Sequence, residues 1–396
     1  MKNLELFKNK ILFNDRKIFH KKREIIYNSN FKIEKHFSGA SPPEIFVGRY
    51  NYPNVNAGIL SPNSFDNSDE LSMPEIWYEK KFNIGDILMR RTKLIYGRFN
   101  TKIKIDKNKL RNLMQEIAMA SKPIGTEMFL KNTPKTHLEI NKYSSIITNF
   151  APLENARLQE NIKVESKVDY LISDIHVKAN DAIKELYQSG VKISNINKLL
   201  SAGLLGLKLK RKLIPTRWSI TAVDDNIGKE LLKKVRTYKE IDTFAVFHAE
   251  YLGNHYEVIL LPGNFNFEII EADIKNNNIN FWQDYESFYG RKDYAKEVVG
   301  GYYVARLATL EYLEKIKRQA NVLILREITN DYYAHLGVGI LREICRDSFN
   351  YQEKFDSLNE CLDKIQERLN IKIDIFKEKS ILLKNHGKQK RLSEFI

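Results

Sequence analysis

At 396 residues, 43% of them apolar and 29% charged, the chain has the length for two or three domains and the balance of a folded protein, which excludes disorder throughout. Its 64 basic against 50 acidic side chains give a formal charge of +14, which favours a polyanionic partner, DNA, RNA or a ribosome about equally, because phosphate contacts are largely independent of sequence. No apolar run approaches the roughly 18 residues of a membrane span, and two cysteines, Cys345 and Cys361, exclude a disulfide framework and a four-cysteine zinc site within this chain.

Residues 1–37 form a basic arm: the first 40 residues hold 10 Lys or Arg against 4 Asp or Glu. Charges interrupt this stretch too often for a signal peptide, so a cytoplasmic protein with no membrane partner is expected. The alternative source of the basic excess is a Lys/Asn/Ile-rich composition, which the stretch IKNNNIN suggests. A first unit is expected over 38–160. It opens with SGASPPEIFVGRYNYPNVNAGILSPN, where Gly and Pro punctuate two short β-type runs and Pro42 and Pro43 set an extended entry. Helical spacing of apolar residues follows over 73–98 and 109–121, and again over 164–189 after a polar, Pro-containing connection.

A helical segment with a basic cluster is expected over 161–240. Residues 181–206 read as two helices with a Gly turn between them, the outline of a helix-turn-helix, although plain helix packing gives the same outline. The run LKLKRKLIPTRWS then supplies Lys208, Lys210, Arg211, Lys212 and Arg217 with no acid to neutralise them, a candidate phosphate-contact surface. Over 241–376 a second unit starts with an antiparallel meander, IDTFAVFHAEYL, HYEVILL and FNFEIIEAD, cut by Gly- and Pro-containing turns. A long helix over 293–320, the strand NVLILREI, helices over 336–349 and 355–369, and a final strand over 371–376 complete it. Strands and helices that do not alternate regularly predict an α+β fold. Neither GxGxxG nor GxxxxGK occurs, so a Rossmann or Walker nucleotide site has no support.

Residues 377–396 are a polar tail that closes on QKRLSEFI. Its Gln389, Leu392, Phe395 and Ile396 follow the pattern of the sliding-clamp-interacting peptide, the PIP motif. One tight helical turn would place Leu392, Phe395 and Ile396 on a single face, with Gln389 hydrogen-bonding beside it. Burial of each apolar side chain is worth roughly 1.5 to 3 kcal/mol, enough after ordering costs for about micromolar affinity. The second informative stretch, FWQDYESFYGRKDYAKEVVGGYYVAR at 281–306, packs eight aromatics among dense charges, a mixture suited to stacking bases and meeting phosphates, or to an amphipathic helix that Gly300 and Gly301 let approach a neighbour.

Taken together, FSGASPPEIFVGRYNYPNVNAGIL, IPTRWSITAVDDNIGKEL, the 281–306 stretch with RQANVLILREI, and QKRLSEFI resemble the Nre proteins of archaea across nearly the whole chain. That resemblance implies a DNA repair factor in the DNA damage response that binds the sliding clamp PCNA through its C-terminal PIP motif and contacts DNA. Members of the family commonly begin with a cysteine-rich, zinc-finger-like element; here no Cys precedes residue 345, and the basic arm stands in its place. Ile396 also departs from the pattern, since an aromatic is more usual there.

Catalysis would need polar groups converging in a cleft. The candidates are Arg49, Arg217, Asp284, Glu286 and Arg291, with Ser41, Asp224, Asp225 and Arg306 beside them in the same motifs. Acid pairs such as Asp224/Asp225 or Asp284/Glu286 could hold Mg²⁺ for phosphodiester cleavage, and Arg49 and Arg217 with the SGASPP loop could bind NAD for group transfer. The alternative to a clamp-recruited binding factor is therefore a DNA- or nucleotide-acting enzyme carrying the same tail. His36, His248, His255 and His335 lack metal-ligand spacing, and no metal site is expected from them.

Overall fold

The computed structural model describes residues 34–104, 108–136, 149–275 and 278–386. The chain is α+β and divides into two compact units, one running to Ile227 and including Tyr333–Gly339, the other comprising Gly228–Tyr332 and the chain from Ile340. Among the described residues no helix is long and apolar enough to cross a membrane.

The first unit is built on a seven-stranded mixed sheet. Its strands are β1 (His36–Ser41), β2 (Ile45–Val47), β3 (Asn54–Pro62), β4 (Leu94–Lys102), β5 (Ile124–Leu130), β6 (Lys135–Thr136) and β7 (Asn149–Leu158). The order is β1-β5-β7-β4-β3-β2, with β6 added to β7, and only β4 and β7 run parallel. Buried Val55, Ala57, Ile59, Ile95 and Met128 come from its strands. The close approach of β3 to β4 requires a residue without Cβ, because a methyl at Gly58 would lie 2.0 Å from the Gly97 carbonyl oxygen. Helices α1 (Pro74–Glu79), α2 (Ile84–Thr92), α3 (Lys109–Met119), α4 (Ser166–Ser173), α5 (Ala179–Gln188) and α6 (Ile193–Ser201) belong to this unit. Helix α7 (Thr216–Val235) starts in it and ends in the second.

The apolar spacing over 73–98 does not make one helical stretch. Pro74 fits the first turn of α1, but Lys81 takes a left-handed backbone (φ 51°), Asn83 starts α2 through a reciprocal capping box with Asp86, and 94–102 is the strand β4. The supposed connection after residue 121 holds β5 and β7, which lie inside the sheet. In β7 (NFAPLENARL) Pro152 and four polar residues erase the local strand signal, and the pairing that makes it a strand comes from β4 and β5.

The second unit carries six strands in the order β11-β10-β12-β9-β8-β13: β8 (Phe244–Tyr251), β9 (Asn254–Leu261), β10 (Asn266–Lys275), β11 (Asn278–Glu286), β12 (Asn321–Ile328) and β13 (Gln352–Phe355). The sheet is largely antiparallel, as the alternating segments imply. Its order is not a plain meander, because β12 inserts between β9 and β10 and runs parallel to β10. Every residue of β9 is buried, so both faces are covered. Helix α8 (Gly300–Ile316) is buried from Gly301 to Leu310, with Tyr302 edge-on to Phe267 at 5.3 Å. After α9 (Val338–Ser348), the helices α10 (Leu358–Gln366), α11 (Ile373–Lys379) and α12 (Ile381–Asn385) supply Cys361, Ile365, Phe376 and Leu382 to an apolar cluster with Val246, Ile259, Ile270 and Leu325.

Two expectations for this unit are corrected. Residues 371–376 lead into and start α11, not a strand: IKIDIF alternates by eye, yet the carboxylate of Glu327 on β12 accepts the Asn370 and Ile371 amides at 3.0 and 2.8 Å just before the helix, and the amide of its first residue, Ile373, donates to Gln366 Oε1 at 2.7 Å. The helix expected over 293–320 starts only at Gly300, because the preceding amides turn toward Asp284.

Candidate functional site

Among the described residues, several buried polar side chains without partners come from three segments of the first unit. The corner after β1 presents Glu44, whose carboxylate accepts Arg91 Nη1 at 2.8 Å from α2. A 3₁₀ turn, Ser68–Leu71, and the start of α1 bring Asp69 and Glu75, while Lys198 comes from α6. Glu44, Glu75 and Asp69 are all close enough to Lys198 to act on it electrostatically. Lys198 Nζ is nonetheless buried with no hydrogen-bond partner among the described residues, and so is Glu75 Oε2. The hydroxyls of Ser41, Ser68 and Ser72 and the side-chain oxygen of Asn197, from the same segments, are likewise buried without one. Burial pushes the Lys198 ammonium below its ordinary range, against the upward pull of the three acids. Each unsatisfied buried polar group costs about 1–3 kcal/mol. So many from three segments marks a site kept for a task other than stability.

Beside this cluster the two motifs around Arg49 and Arg217 meet. Val47 N donates to Thr216 Oγ1 at 2.9 Å, and Thr216 Oγ1 lies 3.2 Å from Ser201 Oγ, so the turn after β2, the end of α6 and the start of α7 are tied together. Pro53 O accepts Ile103 N at 3.0 Å and Ile103 O accepts Leu213 N at 2.9 Å, which fastens the basic run to the same corner. The surface here is aromatic and cationic. Tyr50 is 75% exposed with the Arg49 guanidinium 5.3 Å from its ring, and Tyr52 packs 5.3 Å from Trp218, itself 45% exposed. Lys208, Lys210, Lys212 and Arg217, in the run that leads into Trp218, are exposed, and Leu209 among them is 99% exposed.

Arg211 is different. Its Nε, Nη1 and Nη2 donate to the carbonyls of Gly206, Ile172 and Asp174 at 2.7, 2.8 and 2.8 Å, so its guanidinium staples the loop after α6 to the end of α4. Replacing Arg211 with Ala is expected to lower the thermal midpoint, by at least the roughly 1.5–3 kcal/mol of one hydrogen bond to a charged group. Calorimetry on the full chain checks this, with a Lys212→Ala control that leaves the midpoint in place.

In the second unit the acids of the 281–306 stretch hold structure. Asp284 accepts Arg291 Nη1 at 2.7 Å and the backbone amides of Lys296, Glu297 and Val298 at 3.3, 3.2 and 2.8 Å, a nest of donors that shapes the loop before α8. Glu286 takes Arg306 through two bonds, 2.6 Å to Nε and 2.9 Å to Nη2, and also accepts the Tyr302 hydroxyl. Arg236 adds its charge to Glu286, and its guanidinium lies 5.2 Å from the Phe288 ring. Of the sequence-level candidates, then, Ser41, Arg49 and Arg217 belong to the first unit and Asp284, Glu286, Arg291 and Arg306 to the second. Asp224 is buried and Asp225 partly so, both with partners. Among the described residues no three His, Cys, Asp or Glu side chains gather as metal ligands. His255 bonds Glu257 at 2.8 Å and His36 bonds Glu127 at 2.6 Å.

Two family models cover this chain almost end to end. The one described as Archaeal Nre, N-terminal, matches residues 16–280, and the one described as Archaeal Nre, C-terminal, matches 286–395. The chain belongs to the archaeal Nre family. Curated relatives agree: it is 33% identical to the DNA repair protein NreB of Archaeoglobus fulgidus over 92% of this chain and 93% of that one. It is 33% identical to the DNA repair protein NreA of Haloferax volcanii over 87% and 86%, and 35% identical to the NreA of Archaeoglobus fulgidus over 86% and 87%. No solved structure matches.

Within this Nre chain, sequence reasoning missed Lys198, Glu44, Glu75 and Arg91. One signal was there: across ISNINKLLSAGLLG, at 193–206, Lys198 is the sole charge in a buried helix. The PIP residues Gln389, Leu392, Phe395 and Ile396, and the basic arm up to residue 33, lie outside the described residues.

Proposed function

We propose that this protein is a DNA repair factor that grips DNA through the exposed basic and aromatic face of its first unit and is brought there by the sliding clamp PCNA. The observation that carries the DNA contact is that the exposed Lys208, Lys210, Lys212 and Arg217 belong to the run that leads into Trp218, whose accessible ring packs on Tyr52, two residues after the exposed Tyr50. Cations of this kind hold phosphates, and rings of this kind stack on unpaired bases. The curated relatives, named as DNA repair proteins, support the choice of DNA over RNA. Recruitment rests on the tail: Leu392, Phe395 and Ile396 enter one apolar pocket of the clamp while Gln389 hydrogen-bonds beside it. The residues read as catalytic candidates in the second unit, Asp284, Glu286 and Arg291, act as scaffold in this reading.

The experiment is titration of the full chain with PCNA by calorimetry. The intact protein binds with about micromolar affinity, and Phe395→Ala weakens binding by the roughly 1.5–3 kcal/mol of one buried side chain. Unchanged binding by Phe395→Ala, or by a chain truncated before Gln389, would overturn clamp recruitment.

A further inference from the structure

The polar cluster beneath the DNA-facing corner is not explained by phosphate contacts, which need exposed cations and no buried amine. Its second, independent mark is that Ser41, Ser68 and Asn197, each more than nine-tenths buried, keep oxygens without partners in the same segments. Glu44, Asp69, Glu75 and Lys198 are partly exposed as residues, while Lys198 Nζ and Glu75 Oε2 are themselves covered, so a change of the Lys198 side-chain rotamer must uncover the amine before it reacts. The position is informative too: Ser201, one turn after Lys198 on α6, bonds Thr216, and Thr216 precedes Arg217 and Trp218.

We propose that Lys198 is an amine nucleophile that condenses with a sugar aldehyde, the group an abasic deoxyribose offers in its open-chain form. The choice of aldehyde rests on the DNA repair reading; the nucleophile rests on the geometry alone. The Nζ lone pair attacks the carbonyl carbon, the nitrogen–carbon bond forms, and the carbonyl oxygen takes up the first of the two amine protons to become a hydroxyl. Glu75 takes the second amine proton and returns it to that hydroxyl, which leaves as water as the carbon–nitrogen double bond of the imine forms. No oxidant or reductant is needed. Burial favours the free amine, the form that attacks, and the unpartnered Oε2 of Glu75 is free to move the proton.

The test is reductive trapping of the full chain with cyanoborohydride, using a duplex oligonucleotide with one abasic site in one arm and 2-deoxyribose 5-phosphate in the other. Intact mass and peptide mapping are expected to place one adduct on Lys198. Lys198→Met loses it, as does Lys198→Arg, which keeps a cation but cannot condense, and Glu75→Gln slows it by about a hundredfold. Trapping with the oligonucleotide supports an abasic site in DNA as substrate, and trapping with the free sugar alone supports the nucleophile and assigns it a free aldehyde. No adduct in either arm, adducts scattered over surface lysines, or an adduct that survives in folded Lys198→Met overturns the proposal. Clamp binding measured on the same preparation separates the two readings: binding without an adduct sinks the nucleophile and leaves the repair factor standing.

Discussion

Arg306→Met is expected to destabilise the second unit by about 3–5 kcal/mol, the usual effect of removing one partner from a buried ion pair. Glu286 is 2% exposed and Arg306 3%, and their two bonds of 2.6 and 2.9 Å leave the carboxylate dependent on this one guanidinium for its geometry. With Met in place, the carboxylate keeps the Tyr302 hydroxyl and the field of Arg236, but neither restores a fork. Native stabilities run to about 5–15 kcal/mol, so the loss is a large fraction of the whole and lowers the calorimetric midpoint markedly. The double change Glu286→Leu with Arg306→Met is expected to recover most of it, since an apolar pair avoids the desolvation of both charges. If instead activity on DNA vanished in the double variant while its midpoint held, Glu286 and Arg306 would belong to the chemistry and not to the scaffold.

The largest effect on binding is expected from the exposed basic face. Changing Lys208, Lys210, Lys212 and Arg217 together to Gln removes up to four phosphate contacts. On duplex DNA each contact contributes about 0.9 to the slope of log affinity against log salt, and on single strands about 0.7. A fall of roughly three units in that slope is therefore expected, with an affinity loss largest at low salt. The same four positions leave the fold alone, because their side chains are exposed. Trp218→Ala, made separately, weakens single-stranded DNA by about 1–3 kcal/mol through lost stacking and leaves the salt slope in place. A salt slope that does not change in the fourfold variant, measured by fluorescence anisotropy on both DNA forms, would place the DNA contact elsewhere.

Much of the architecture could be read from residue patterns. The strands β8, β9, β10 and β12 announce themselves because Val, Ile, Phe and Tyr recur between Gly and Pro turns. Helices α3, α5 and α6 carry their apolar residues at helical spacing. What escaped depends on partners distant in sequence. Strand β7 is set by neighbours on β4 and β5, and the chain entering α11 is held by Glu327, 44 residues before Ile371. The site was legible by halves. Charge and aromatic content pointed to the corner of Arg217, yet counting basic residues could not distinguish Arg211, whose donors are spent on three carbonyls, from Lys210, whose ammonium faces water. Lys198 was passed over for the converse reason: although it is the sole charge across 193–206, one lysine in a helical pattern looks like a solvated face until its surroundings are known.

The insertion of β12 between β9 and β10 has a bearing on how the molecule is made. Residues 321–328 supply the neighbour that both flanking strands require, so during synthesis the ribosome releases β8 to β11 well before the ladder that unites them can close. The junction between the two family models, at 280 to 286, falls inside β11 and upstream of β12. Cutting a gene there would yield two fragments with raw edges and not two modules, each prone to sticking until it met the other.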